Sequence, residues 1–336
     1  MTECLNRMVS VFMITYNHEK YIAKALESIL MQKVEFDFEV VIGEDCSTDN
    51  TRNIILKYAD KYPDKFKLLL HERNIGPMAN HIAVLNACTG KYIAMLEGDD
   101  YWISPLKLKT QVDFLEANPE YSICSHNAIV EYEETGEKIE WLGREQKETI
   151  TLDDLLAFGS GGATCSLIFR NKIFRNSLDL FYTLPSLDWI SQILCASKGK
   201  MKYFKEPMGV YRRTISGNST DAGIKEAKKQ NKEWLGIPYK NTLKIIDAID
   251  KYFDYKKKML LNNQRIYCYY VLAKTFDEHN KSIKAILFSL KTLKYYFGNY
   301  PFLTKEIKKD TKKTLCKNSI IKIKQIIITF INKCRI

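Results

Sequence analysis

The chain of 336 residues lacks most of the short signatures that assign an enzyme at sight. Its nine cysteines are scattered from Cys4 to Cys334, with no C-x-x-C pair and no Cys/His group at zinc-ligand spacing. Their odd number, and the apolar runs that hold several of them, fit small buried hydrophobes in a reducing compartment. No basic segment followed by a long apolar one stands at the N-terminus, so no signal peptide is expected. No stretch reaches the roughly 18 uncharged apolar residues that span a bilayer. No G-x-G-x-x-G follows the first apolar run, no Walker A sequence surrounds Gly90-Lys91 or Gly199-Lys200, and H-E-x-x-H and G-x-S-x-G are absent. Dinucleotide cofactors, P-loop NTPases, zinc proteases and serine hydrolases of the usual kinds are thereby disfavoured. The expected location is the cytosol, or the cytosolic face of a membrane.

What the chain has is a hydrophobic fraction of 46% with 12% aromatics, enough for a sizeable core. Its net charge of +11 is unevenly divided. Residues 225–336 carry 26 basic and 9 acidic side chains, a balance of +17, which leaves 25 basic and 31 acidic, or −6, for residues 1–224. A basic excess confined to one region is a poor footprint for nucleic acid binding by the whole protein.

The first hundred residues alternate between strand and helix patterns. Residues 9–16 (VSVFMITY) form a continuous apolar, β-branched run, as in a strand buried on both faces. Asn17 is placed to cap the following helix, where Ile22, Ala25, Leu26, Ile29 and Leu30 recur at helical spacing. Strands are expected at 38–43, 67–71 and 91–96, with helices after Asp49 or Thr51 and over 78–86. Such alternation builds right-handed βαβ units on a parallel sheet. Further on, 106–118 reads as a helix, 121–132 as a strand, 133–148 as an exposed hairpin or loop, 165–169 as a strand, 188–197 as a helix and 208–212 as a strand. Residues 213–223, rich in Ser, Thr, Gly and Asn, resemble a loop that closes over a site, and helices dominate from about 224, including 260–276 and 283–297.

Ligands of open α/β sheets bind beyond the carboxyl ends of the strands. Those ends carry Thr15-Tyr16-Asn17, then Glu44 to Asp49, then Arg73-Asn74-Ile75-Gly76, then Glu97-Gly98-Asp99-Asp100. Gathered carboxylates repel one another unless a cation compensates, so Glu97, Asp99 and Asp100 point to a divalent ion such as Mg²⁺ or Mn²⁺ shared with substrate phosphates. A plain acidic turn is the alternative.

The segments VSVFMITYNHEKYIAKALESILMQ, VVIGEDCSTDNT and RNIGPMANHIAVLNACTGKYIAMLEGDDYW resemble family-2 glycosyltransferases, over roughly residues 8–125 and more loosely to about 220. The resemblance implies the GT-A fold, an α/β architecture with a Rossmann-like, mostly parallel central sheet covered by helices on both faces. That catalytic domain would span 1–223, its nucleotide-sugar half about 1–105 and its acceptor half about 106–223, followed by a basic helical region over 224–336. It further implies inverting, metal-dependent transfer from a nucleotide sugar, favouring UDP, to a saccharide or lipid-linked saccharide. By resemblance Tyr16 stacks on the base with Thr15 and Asn17 in the same loop, Asp45 accepts from the uracil N–H, and Arg73 lies near the base. Asp99 and Asp100 match the D-x-D region, with Glu97 standing where the first Asp is usual. Asp49 reads better as a helix cap.

The family places its general base at the start of a helix in the second half of the domain, which here is Asp188; Glu206 and Asp179 are the fallbacks. An N-cap role fits Asp188 as well. Gly161-Gly162 reads either as a close approach to the acceptor or as a plain turn, and Arg212 as a cation for the diphosphate. Trp102 and Trp189 read either as a sugar-stacking floor or as core, and the five histidines as structural. Over 305–336 an isoleucine-rich stripe is interrupted by lysines, as in a helix lying on an anionic membrane surface, where each lysine contributes roughly 1 kcal/mol. A nucleotidyltransferase or a degenerate, membrane-associated scaffold is the competing reading.

Overall fold

The computed structural model describes residues 7–141, 146–173, 188–213 and 237–278, together with Lys291. The chain divides into two compact units, one of Met1–Leu155 with Gly159–Ala222, the other of Leu156–Phe158 with Gly223–Ile336.

The first unit starts with the expected alternation: β1 (Val9–Thr15), α1 (Ile22–Leu30), β2 (Phe38–Glu44), α2 (Thr51–Lys61), β3 (Phe66–Leu70), α3 (Pro77–Ala87) and β4 (Tyr92–Met95). It continues through β5 (Tyr101–Trp102), α4 (Lys107–Ala117), β6 (Tyr121–Tyr132), β7 (Lys138–Glu140), β8 (Thr149–Ile150) and α5 (Leu152–Phe158), whose last three residues belong to the second unit. After a 3₁₀ turn at Thr164–Ser166 come β9 (Ile168–Arg170), α6 (Asp188–Ala196) and β10 (Lys200–Arg213). The main sheet order is β3-β2-β1-β4-β9-β6-β10-β5, with β7 on β6 and β8 on β10.

β1 is central, and all its residues but Ile14 are buried because both sheet faces are covered. It pairs in parallel with β2 and β4, in a register that sets Thr15 beside Glu44 and, across β2, Glu44 beside Leu70. The carboxyl ends of three strands therefore finish level. The sheet is not uniformly parallel: β9 runs antiparallel to both β4 and β6. The apolar run 165–169 is thus only partly strand. Its first residues turn as 3₁₀ because the Cys165 carbonyl accepts from Trp102 Nε1 at 2.8 Å and the Ser166 carbonyl from Gln111 Nε2 at 2.9 Å. The polar stretch after β6 does fold back as a hairpin, through β7.

Gly76, at φ 87°, and Pro77 start α3, a left-handed glycine ahead of a proline in the first helical turn. Gly43 lets α3 press onto β2: a Cβ there would lie 2.0 Å from Asn80 Oδ1 and 2.5 Å from Val84 Cγ2. Asn80 in turn donates to the Gly43 carbonyl at 2.8 Å and meets His71 at 3.0 Å, tying α3 to the ends of β2 and β3.

In the second unit, α7 (Ile237–Tyr252) and α8 (Lys258–Glu278) pair through Arg265. This buried guanidinium donates to Asp247 at 2.9 Å and to Asp250, itself 2% exposed, at 2.8 Å. Leu272 and Phe276 pack there against Tyr239 and Leu243. The expected helix at 283–297, the loop at 214–223 and the basic stripe at 305–336 lie outside the described residues, Lys291 apart.

Replacing Gly43 with alanine should destabilise the first unit by about 1–3 kcal/mol through overpacking at the β2–α3 contact. Urea unfolding, followed by intrinsic fluorescence, measures it.

Candidate active site

The loops leaving β1 and β2 are zipped together. Asn17 does not cap α1, whose N-cap is Tyr21 without a side-chain bond. It sits at φ 56°, a left-handed conformation that asparagine tolerates better than most residues. Its Oδ1 accepts from Thr48 N at 2.8 Å, while its own N–H donates to Ser47 Oγ at 3.0 Å. Asp49 accepts from Thr51 N at 2.9 Å and Glu19 N at 3.0 Å, but the N-cap of α2 is the next residue, Asn50, and not Asp49 as expected. Tyr16 stands at the rim with 42% of its surface exposed, and Thr15 is buried beneath it.

Glu44, wholly buried, accepts from Ser47 N at 2.7 Å and pairs with Arg52, which also bonds the His71 carbonyl. Asp45 accepts from Ile75 N at 2.7 Å and Gly76 N at 3.0 Å. Its carboxylate thus holds the loop that carries the exposed Arg73. Any base contact by Asp45 would use lone pairs left over from these two bonds.

The acidic turn leaves β4 beside β1, with Gly98 N donating to the Ile14 carbonyl and Asp100 N to the Glu97 carbonyl, both at 3.1 Å. A Cβ on Gly98 would lie 2.7 Å from Thr15 Oγ1 and 2.8 Å from His18 Nδ1. Glycine therefore lets the turn sit against the first loop. His18 Nε2 is 4.0 Å from Asp99 Oδ2, a proximity that linear spacing did not reveal.

Arg212 braces the turn from β10. Its N–H donates to Asp100 Oδ1 at 2.8 Å and its Nη1 to the Asp99 carbonyl at 2.7 Å. The guanidinium lies between the Tyr21 and Tyr101 rings, 4.8 and 4.9 Å from their centroids, with Glu131 at 3.5 Å. Tyr21 in turn donates to Glu133, and burial with that bond pushes its phenol up to about 12. Arg212 is committed to holding the turn.

Asp188 is the first residue of α6. Its carboxyl is raised above the ordinary range by burial, with Thr164 opposing. Glu97 is raised by burial and then by the charges of Asp188, Asp99 and Asp100, so the proposed base and the acidic turn share one field. Asp100 is raised by burial and by Asp99, while Arg212 and Cys165 oppose. Of the fallbacks, Glu206 is exposed in β10 and is not among the charges acting on Glu97, and Asp179 lies outside the described residues.

Gly161 and Gly162 serve internal packing. Gln192, one turn into α6, accepts from Gly161 N at 2.7 Å and donates to the Gly162 carbonyl at 3.2 Å. A Cβ on Gly162 would come within 2.7 Å of Ser125. Trp102 is core, 1% exposed, and Trp189 donates to the Leu155 carbonyl at 3.0 Å.

Among the described residues no group of three or more His, Cys, Asp or Glu is arranged as a ready metal cage. The donor chemistry still fits a hard cation held partly by substrate. Asp100 Oδ2 is buried without a hydrogen bond of ordinary length, beside the weakly donating Cys165 thiol, and the neighbouring acids supply oxygen ligands.

The fold is of the GT-A type. Residues 10–176 match glycosyl transferase family 2, and this segment is a domain of that family. An uncharacterised protein of Mycobacterium tuberculosis is 38% identical over 209 residues, 62% of this chain and 60% of that protein. The chain thus spans about 60% of the length of the curated relatives it matches there. An Escherichia coli enzyme, UDP-Glc:alpha-D-GlcNAc-diphosphoundecaprenol beta-1,3-glucosyltransferase WfgD, is 32% identical over 130 residues, 37% of this chain and 49% of that one. The crystal structure of S. aureus TarS in complex with UDP-GlcNAc shares the fold, with a TM-score of 0.54 and 17% identity over 90% of this chain and 92% of that one.

The raised carboxyls bind protons more readily in the folded chain than in the unfolded one. Their contribution to stability is therefore present below the ordinary carboxylate pKa of about 4 and is lost as pH rises through the raised values. Replacing Asp99 with asparagine should accordingly stabilise the ligand-free protein at pH 8, by roughly 0.5–2 kcal/mol. The gain should shrink towards pH 5, as thermal melts at the two pH values will show.

Proposed function

We propose that the chain is an inverting glycosyltransferase that moves a sugar from a UDP-sugar to a saccharide carried on a lipid diphosphate, with a divalent cation at the acidic turn. The observation that carries this reading is the acidic turn that leaves β4 against the end of β1, with Gly98 N bonded to the Ile14 carbonyl and Arg212 bonded to Asp99 and Asp100, and with Asp188 among the charges acting on Glu97. Single displacement at an anomeric carbon needs a carboxylate to take the acceptor proton and stabilisation for the departing diphosphate.

Asp188 is the base in this reading. Burial raises its proton affinity, and Thr164 opposes that shift. Tyr16 offers an exposed ring to the base of the nucleotide, and Thr15, Asn17, Asp45 and Arg73 form the surrounding loops. Asp99 and Asp100, with Glu97 in support, would hold the cation, whose chemistry is Lewis-acid stabilisation of the leaving UDP. Arg212 acts through the turn it braces. UDP as the nucleotide and a diphosphate-linked lipid acceptor are supported by what the name of WfgD states for that enzyme.

The lipid-linked acceptor accounts for the charge division. The +17 of residues 225–336 would hold the enzyme against an anionic membrane face. No helix among the described residues is long and apolar enough to cross a membrane.

UDP release from UDP-Glc and UDP-GlcNAc, with Mn²⁺ and polyprenyl-diphosphate-linked GlcNAc, tests the activity. Asp188→Asn should lower turnover by about 10²–10⁴-fold. Unchanged turnover removes Asp188 as the base, and UDP affinity that calorimetry finds indifferent to Mn²⁺ removes the metal. Separately, the full chain should sediment with phosphatidylglycerol vesicles at low salt but not with phosphatidylcholine, and 0.5 M salt, where screening shortens to about 4–5 Å, should release it. Equal sedimentation with both lipids would overturn the electrostatic attachment.

A further inference from the structure

The second unit carries one feature that the reaction scheme leaves without a role, the tip where α7 gives way to α8 through residues 253–257. The end of α7 is a Schellman cap: Tyr255 N donates to the Asp250 carbonyl at 2.8 Å and Asp254 N to the Lys251 carbonyl at 3.0 Å. Such a cap favours glycine at its left-handed position and commonly packs the residue after it against the helix. This tip does otherwise. Asp254 stands at φ 50° and Tyr255 at φ 60°, a conformation that is a genuine outlier for so bulky a side chain. Tyr255 is nevertheless 61% exposed, and Tyr252 and Met259, on either side of it in the chain, are 38% and 59% exposed. Lys251, Lys256 and Lys258 are exposed as well. Over residues 251–259 four lysines stand against one aspartate. The Lys256–Asp254 pair, at 3.8 Å, lies in solvent and neutralises little of that charge. The turn is also firmly based. Asp250, whose carbonyl receives Tyr255 N, gives its carboxylate to the buried Arg265 at 2.8 Å.

We propose that this tip is an interfacial anchor: Tyr252, Tyr255 and Met259 enter the head-group layer of an anionic bilayer, and Lys251, Lys256 and Lys258 meet its lipid phosphates. The anchor rests on the membrane attachment proposed above and names the part of the chain that enters the lipid. Tyrosine suits that boundary because its ring is apolar and its hydroxyl stays wet, and lysine because its stem lies on apolar surface while its ammonium remains in water. In water alone an exposed tyrosine gains nothing from a left-handed backbone, where glycine folds without strain. A lipid surface supplies the missing contact. The excess of lysines selects an anionic surface over a neutral one. A few side chains at this depth add to electrostatic attraction without replacing it, so high salt still releases the chain.

The test is partitioning of the full chain onto phosphatidylglycerol vesicles at low salt. Tyr252→Ser, Tyr255→Ser and Met259→Ser together keep every charge and should weaken partitioning about 10–100-fold. Met31→Ser with Leu56→Ser, which alters exposed side chains of the first unit, should leave it unchanged. Tyr255→Gly guards against a folding defect: it relieves the left-handed backbone, so it should melt no lower than the wild type and still bind vesicles more weakly. Tyr255→Trp should gain a blue-shifted emission on binding, quenched by lipids brominated near the head of the acyl chain beyond any quenching of the wild type. Wild-type partitioning in the triple variant overturns the anchor and leaves the electrostatic attachment in place, as does emission of the bound Tyr255→Trp variant that matches the wild type. A wild type that binds neither phosphatidylglycerol nor phosphatidylcholine removes attachment and anchor together. A wild-type dimer in sedimentation velocity that the triple variant dissociates assigns the tip to a second copy of the chain and likewise overturns the anchor.

Discussion

Like charges crowded into a poorly hydrated place are the constraint around which the first unit is organised. Glu97, Asp99, Asp100 and Asp188 act on one another strongly enough to raise Glu97 well above its ordinary range, burial being the largest cause. Left to itself such a cluster would splay apart or protonate. It stays together because the elements carrying it are secured elsewhere. The acidic turn hangs between β1 and β10, by backbone bonds to Ile14 and through Arg212, and α6 is pinned by Gln192. The stability needed to hold the site comes from the buried strands, while the site itself draws on it.

The zipped loops after β1 and β2 follow the same logic on the nucleotide side. Side chains there accept from backbone N–H groups: Asn17 from Thr48, Glu44 from Ser47, Asp45 from Ile75 and Gly76. A loop whose amides are satisfied by its own carboxylates needs little ordering when a ligand arrives. Asp45 shows how one residue type serves both ends, since a carboxylate with two occupied oxygens keeps accepting capacity.

Elements whose identity is decided by local burial were readable from the chain alone. The run 9–16 could be buried on both faces only as a central strand, and β1 is that strand. The strand-end residues also followed from alternation and chain direction. What stayed hidden depends on which strands become neighbours. The antiparallel insertion of β9 leaves no mark in an apolar run of five residues, and the 3₁₀ start of that run is imposed by Trp102 and Gln111 from distant parts of the chain. His18 beside Asp99 is a pairing across the sheet edge with no spacing rule to betray it. Asn17 illustrates a correct chemical instinct with the wrong partner: its readiness to bond backbone amides serves the adjacent loop, not the helix.

The means of bracing bear on what the site can accept. Had the acids been held by salt bridges, their charge would be spent. Instead the holding bonds run mostly to backbone. Arg212 directs Nη1 at the Asp99 carbonyl, Trp102 bonds the Cys165 carbonyl, and Gln111 the Ser166 carbonyl. Lys107, the cation closest behind Trp102 at 4.1 Å from its ring, is fully buried, and burial lowers its amine to about 7. It therefore gives up its proton at little cost near neutrality and makes no demand for a carboxylate partner. Bracing that runs mostly to backbone fixes where the acids stand, with the Arg212 guanidinium offsetting part of the charge on Asp100. The charge that remains is what the proposed cation would meet.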